Sequence, residues 1–373
     1  MIPVEYGRYF LPTYDIVIFV LTLVAYGSWQ SLGARRLIGD NHTNNMAAVI
    51  FCLIVSVMLG LRPLTGGYFG DTYTYARKFA EFQRGVRIYD GSGDEWLWDL
   101  IMFKSSSLIG IHTFLTIVDL GYFLFTWYGA KRLFRNNAWA AMLFFMGAFS
   151  TYAFGTNGIR NGLACSMVFC AISMCFGSRK ALWWGVLLCL AAAVIHRSIL
   201  LPVFCFVVAL YLKNYKLAVA LWFISIGVSL VNHTWAEAFF TQLGFDDRLT
   251  NYIEAGEEYA RTNKSGFRLD FLIYSAMPII LGWYVIVRRR LADRTFRILC
   301  ITYVLSNIFW VLMMQASYSS RFAYLSWFLY PIVLAYPCFR LNLWGSRQGQ
   351  NASNIMLAHV SFTMFMTFVY YGV

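Results

Sequence analysis

Charge is scarce in this sequence: of 373 residues only 13% are Asp, Glu, Lys or Arg, whereas 59% are apolar or aromatic. A soluble domain of this length needs about a quarter of its residues charged to coat its surface, so the scarcity excludes a water-soluble globule. Acids are scarcer than bases, 18 against 30. The resulting net charge of +12 is assigned to loop topology and to anionic lipid or lipid-linked phosphate, not to nucleic acid. Cysteine is missing from the polar loops. All eight (52, 165, 170, 175, 189, 205, 300 and 338) fall inside or at the edge of apolar runs with no pair at ligand spacing, which argues against a disulfide framework and a zinc site. There is no P-loop, no Gly-x-Gly-x-x-Gly opening a helix after a strand, no His-Glu-x-x-His and no Gly-x-Ser-x-Gly. Nucleotide use and hydrolytic metal chemistry are therefore unsupported, and neither a cofactor nor a metal is expected. No basic leader precedes the first apolar run, which has only Glu5 and Arg8 ahead of it and continues to about Leu32; it reads as a retained span.

What the sequence has in abundance is uninterrupted apolar length, as in Ile16 to Tyr26, Leu187 to Ile195 and Leu217 to Val231. Only helices and closed barrels satisfy the backbone in lipid, and runs without alternation favour helices. The expected fold is all-α and polytopic, with about twelve transmembrane helices at about 20 apolar residues each. They fall near 14–32, 46–61, 113–130, 138–154, 161–177, 182–195, 199–212, 217–233, 269–287, 297–315, 322–339 and 355–371, in one transmembrane domain over 1–373. Loops 34–45, 131–137, 178–181, 213–216, 288–297 and 340–350 hold 16 Lys/Arg and, as acids, only Asp40 and Asp293. The positive-inside rule makes this set cytoplasmic and puts both termini and the long loops, about 62–112 and 234–268, outside. Trp96 to Gly110 is too short to cross, at about 22 Å of helix, and reads as a re-entrant or interfacial half-helix on the outer side.

Four arginines run against the charge bias: Arg62, Arg160, Arg197 and Arg321 sit on the outside in hairpins so short that they must cap helices. Each alone is explained by snorkelling or by pairing with a loop carboxylate. Four at one rim point to a phosphate or pyrophosphate clamp, because the planar guanidinium grips phosphate oxygens in pairs. Carboxylates lie nearby. Gly66-Gly67-Tyr68-Phe69-Gly70-Asp71 follows Arg62, and its glycines permit a tight backbone holding Asp71 and Tyr75 near the membrane. Glu95 opens the half-helix, where a carboxylate also favours the N-terminal dipole, and Asp99 lies one turn further. His196, beside Arg197, closes span six as a structural end residue or a proton acceptor. His112 and Asp119 share one helix face seven residues apart; an intramembrane carboxylate is a functional candidate, and pairing with His112 makes it a structural one, the reading preferred here.

These segments resemble the EpsG/Wzy group of polysaccharide repeat-unit polymerases. The resemblance rests on Gly60-Leu61-Arg62, on Gly70-Asp71 with Tyr75 and Phe79, on Glu95, and on Ile159-Arg160-Asn161-Gly162-Leu163-Ala164. It extends through Ile195-His196-Arg197-Ser198 with Leu200 and Pro202 to Arg321-Phe322-Ala323-Tyr324, covering about 58 to 335. Asn161 stands where the family usually has glutamine, and Pro63 follows the first arginine. The resemblance implies a multi-pass glycosyltransferase of the bacterial cytoplasmic membrane, serving O-antigen, capsule or exopolysaccharide synthesis. It would move a polyprenyl-pyrophosphate-linked oligosaccharide donor onto a lipid-linked acceptor at the periplasmic or outer face, with a chain-length regulator protein as a further partner. Asp71, His196, Arg62, Arg160, Arg321 and Glu95 are the expected catalytic set, and Tyr75, Arg197, Asn161 and Tyr324 the expected substrate contacts. Two rivals share outer-face chemistry on lipid-linked sugars: a polyprenyl-phosphate-sugar glycosyltransferase, which would use a divalent metal, and an O-antigen ligase. A lipid-linked-sugar flippase is a third, and it would show internal repeats and midplane charges.

Overall fold

The computed structural model of the chain describes residues 3–39, 45–93, 95–231, 266–316 and 319–372, and every regular element among them is helical. Where they are described, the twelve expected spans fall mainly on helix. By length and apolarity, however, five helical segments among the described residues qualify to cross a membrane: Val4–Trp29, Leu269–Arg288, Arg294–Leu312, Ser319–Arg340 and Gly345–Tyr370. A bent pair, Ile111–Met146 with Phe149–Thr156, makes six. The expected count of about twelve is therefore not met by helix length. The difference has a physical cause: helices such as Ile159–Cys175 and Arg197–Tyr211 stop at 17 residues or fewer, about 26 Å at most against a core of roughly 30 Å.

The chain forms two compact units, residues 1–197 with 335–373, and residues 198–334. In the first, the long helices are α1 (Phe10–Trp29), α2 (Asn45–Gly60), α6 (Ile111–Phe134), α9 (Ile159–Cys175), α10 (Arg179–Ile195) and the last helix, Gln348–Phe365. Small residues let these helices approach without a polar seam, as is usual in lipid. At Gly60 an added Cβ would lie 2.7 Å from the Thr116 backbone, so α2 can cross α6 there only because the side chain is absent. Between α2 and α6 run the short α3 (Gly66–Phe69), α4 (Thr72–Gln83) and α5 (Trp96–Ser106). The expected half-helix is thus 11 residues, about 16 Å, and does not qualify as a span.

Between α6 and α9 the chain breaks into α7 (Ala138–Met146) and α8 (Phe149–Thr156), bent by 80°. A break frees carbonyls that lipid cannot satisfy. Side chains take them: Thr151 Oγ1 donates to Phe145 O at 2.5 Å, and Thr363 Oγ1 donates to Gly147 O at 2.7 Å.

The second unit holds α11 (Leu200–Tyr211), α12 (Tyr215–Val231), α13 (Leu269–Trp283), α14 (Arg294–Leu312), α15 (Ser319–Trp327) and the start of α16 (Tyr330–Arg340). Its interior is stitched by a few polar contacts. Trp222 Nε1 donates to Asn307 Oδ1 at 2.8 Å, Asn307 Nδ2 to Ser326 Oγ at 3.0 Å, and Trp327 Nε1 to Ser275 Oγ at 2.8 Å. The long loop expected at 234–268 lies almost wholly outside the described residues.

Candidate functional site

The Gly-Asp segment ahead of α4 is fixed by its backbone. Thr65 caps α3, its hydroxyl accepting from Gly67 N at 3.2 Å, and Gly70 ends it at φ +47°. An added Cβ at Gly70 would lie 2.5 Å from Asn157 Oδ1, and the same oxygen accepts the Asp71 N–H at 2.7 Å. Glycine is therefore required twice at this position, by the left-handed backbone and by the neighbour. From Asp71 the chain enters α4, whose buried stripe Thr72, Tyr75, Phe79 and Phe82 follows helical spacing. That stripe packs on α5: Tyr75 meets Trp98 edge-on at 5.7 Å between ring centroids, and Phe82 meets Phe103 at 5.6 Å.

This packing carries Glu95, immediately before α5, to the first turn of α9 and the end of α10. Glu95 Oε2 accepts from Arg160 Nη1, and Glu95 Oε1 lies 2.7 Å from His196 Nδ1. The Tyr75 hydroxyl and the Asp99 carboxylate also face the Arg160 guanidinium. Asp99 in turn binds Lys78 Nζ at 2.6 and 2.7 Å through its two oxygens. Four elements thus contribute Tyr75, Lys78, Glu95, Asp99, Arg160 and His196 to one cluster. The Glu95, Arg160 and His196 side chains keep 15%, 17% and 11% of their surface exposed, so the cluster is desolvated yet open. In it two carboxylates balance two permanent cations, with an imidazole beside them.

The remaining expected site residues are distributed differently. Arg62 is fully buried, at 0% exposure, and the anion it meets belongs to the protein. Its Nη1 donates to Asp119 Oδ2 at 3.1 Å and to Leu59 O at 2.7 Å, and its Nε donates to Thr72 Oγ1 at 3.0 Å. The close crossing at Gly60 sets Arg62 against α6 at this depth. Asp119 therefore pairs with Arg62 instead of His112, whose Nδ1 lies 3.0 Å from Gly60 O. Asp71 is half-buried one turn before Tyr75 and so on the same side of α4. Asn161 is buried, and its Oδ1 accepts the Cys165 thiol at 3.1 Å. Arg197 is exposed at the turn after His196. Arg321 and Tyr324 are half-buried in the first turns of α15, in the second unit.

Sequence reading missed two participants. Lys78 follows Tyr75 by three residues and so shares its face of α4, a spacing visible in the sequence. Asn157, which holds the Gly70-Asp71 backbone, carries no comparable signal, because its partner lies 86 residues away.

Chemically the cluster offers an oriented imidazole and a guanidinium. Among the described residues no three His, Cys, Asp or Glu converge as a metal-ligating group. The profile of the EpsG family matches residues 45–372, a range that contains every residue of the cluster. No curated protein and no solved structure matches the chain.

Proposed function

The chain belongs to the EpsG family, and from that premise we propose that it is a polysaccharide polymerase whose reacting centre is the Glu95–Arg160–His196 cluster. It joins polyprenyl-pyrophosphate-linked oligosaccharide repeat units at the outer face of the cytoplasmic membrane. The terminal hydroxyl of a lipid-linked acceptor attacks the anomeric carbon of the donor glycan, the bond to the pyrophosphate oxygen breaks, and polyprenyl pyrophosphate leaves.

The observation that carries this reading is Glu95 bridging His196 and Arg160. By holding His196 at Nδ1, Glu95 selects the neutral tautomer whose Nε2 accepts the acceptor hydroxyl proton. Arg160 neutralises charge as it develops on the leaving pyrophosphate, which is the largest electrostatic demand of the step. The two roles are coupled. Arg160 and His196 share the Glu95 carboxylate, so a phosphate that draws Arg160 away acts on the group that orients the imidazole. Lys78 supplies a second cation beside Asp99, and Tyr75, buried against Trp98, steadies the Arg160 guanidinium.

The test is glycan length in cells carrying single variants. Lysine keeps a charge at Arg160 but lacks the planar fork, so Arg160→Lys should cost on the order of 3 kcal/mol in the transition state, about a hundredfold in rate. Glu95→Gln should leave single repeat units on the carrier while the protein reaches the membrane at wild-type levels. Long polymer from both variants would rule out the cluster as the reacting centre.

A further inference from the structure

The second unit carries an apolar groove between α12 and α13, about 660 Å³ in volume. The small side chains of Ala220 and Ala276 leave it open between Phe223, Ile280 and Trp283, which are 63%, 60% and 41% exposed. Lys216 stands at one end. Helix α12 there touches both α13 and the turn Tyr284–Arg288 that continues it, and Tyr215 OH donates to Ile279 O at 2.9 Å. The same end therefore gathers Lys213, Lys216 and the run Arg288 to Arg290, all exposed. The nearby acid, Asp293, is engaged in capping α14, accepting from Phe296 N at 2.7 Å.

Three features separate this groove from ordinary lipid-facing surface. It is concave. Its basic end complements an anion, and the positive-inside bias assigns that end to the cytoplasm, where the membrane leaflet is anionic. Its length fits one leaflet: from Lys216 to Ile226 the helix rises about 15 Å, half the roughly 30 Å hydrocarbon core.

We propose that the groove is a resident-lipid site, holding an acyl chain of an anionic phospholipid with the phosphate against Lys216 and the neighbouring basic residues. The site is separate from the Glu95 cluster and does not depend on the reaction proposed for it.

The experiment uses the purified full-length chain in mild detergent, equilibrated with equal amounts of phosphatidylglycerol and phosphatidylcholine and read by native mass spectrometry. Wild type should retain one phosphatidylglycerol in preference to phosphatidylcholine. Lys216→Gln, on an exposed side chain at the mouth of the groove, should lower that preference about fivefold. Ala276→Phe, which fills the groove, should abolish retention with Lys216 intact, and Ala220→Phe on an exposed position repeats the test should the first variant not fold. Equal retention of both lipids, or a preference that neither the charge nor the filling variants change, would overturn the proposal. So would efficient disulfide cross-linking of Phe223→Cys between two copies of the chain, which would make the groove a subunit interface.

Discussion

Removing Arg62 should unfold the protein, not merely silence it. The side chain is fully buried, and Asp119, at 1% exposure, has no other ion partner among the described residues. Breaking a buried pair by deleting one partner typically costs 3–5 kcal/mol, because the surviving charge is left in low dielectric. That is roughly a 10² to 10⁴-fold shift in the folded-to-unfolded ratio. Arg62→Met should therefore deplete the protein from membranes and lower its melting temperature in detergent. Arg62→Met with Asp119→Leu removes both charges and fills similar volume, and replacing a whole buried pair is often neutral. The double variant should regain most of the stability. Recovery would fall short by the contact to Leu59 O, while Thr72 keeps its own bond to Thr156 O. The assay is membrane abundance and thermal melting of the four members of this cycle. A single variant that accumulates and melts like wild type yet makes no polymer would refute the argument and return Arg62 to the substrate.

Gly70→Ala should impair polymer formation more than Asn157→Ala, since it strains a left-handed backbone and strikes Asn157 at once; the comparison is made on glycan ladders at matched protein level. Cysteine labelling of intact cells should reach Ser92→Cys, in the exposed loop before α5, and should reach Arg290→Cys only after permeabilisation; the opposite pattern would invert the orientation. Polymerisation should continue when divalent cations are chelated, because in the reaction proposed above the cationic side chains Arg160 and Lys78 take the place of a metal; loss in chelator with restoration by one metal would favour the metal-using transferase.

Helix positions were legible because uninterrupted apolar runs report burial in lipid directly. Helix lengths were less so: the turn at Gly147 lies in a run, Ala138 to Phe154, that is apolar almost throughout, and nothing in its periodicity marks an 80° bend. For the candidate site, a charge opposing the topological bias singled out Arg160, the end of the sixth span singled out His196, and the short segment Trp96 to Gly110 ahead of both singled out Glu95. What sequence could not supply is which cation each acid meets. Arg62 and Arg160 follow the same rule in one dimension, each single and at a helix end. Only the crossing of α2 over α6 sends one to Asp119 inside the unit and leaves the other at an open cluster. Asp119 shows the same limit from the other side, since the histidine on its own helix face, His112, is not its partner.

The charge balance at the cluster bears on turnover. A guanidinium already held by Glu95 takes an arriving phosphate by exchange, not by addition, so the net affinity is the difference between two similar contacts. Such a site grips its ligand weakly for its number of charges. It also releases it readily, since the displaced carboxylate waits on α5 to reclaim the arginine. For the reaction proposed above, in which a spent carrier would be shed after each joined unit, this competition would serve better than an unopposed cationic pocket, where the leaving pyrophosphate would remain as an inhibitor.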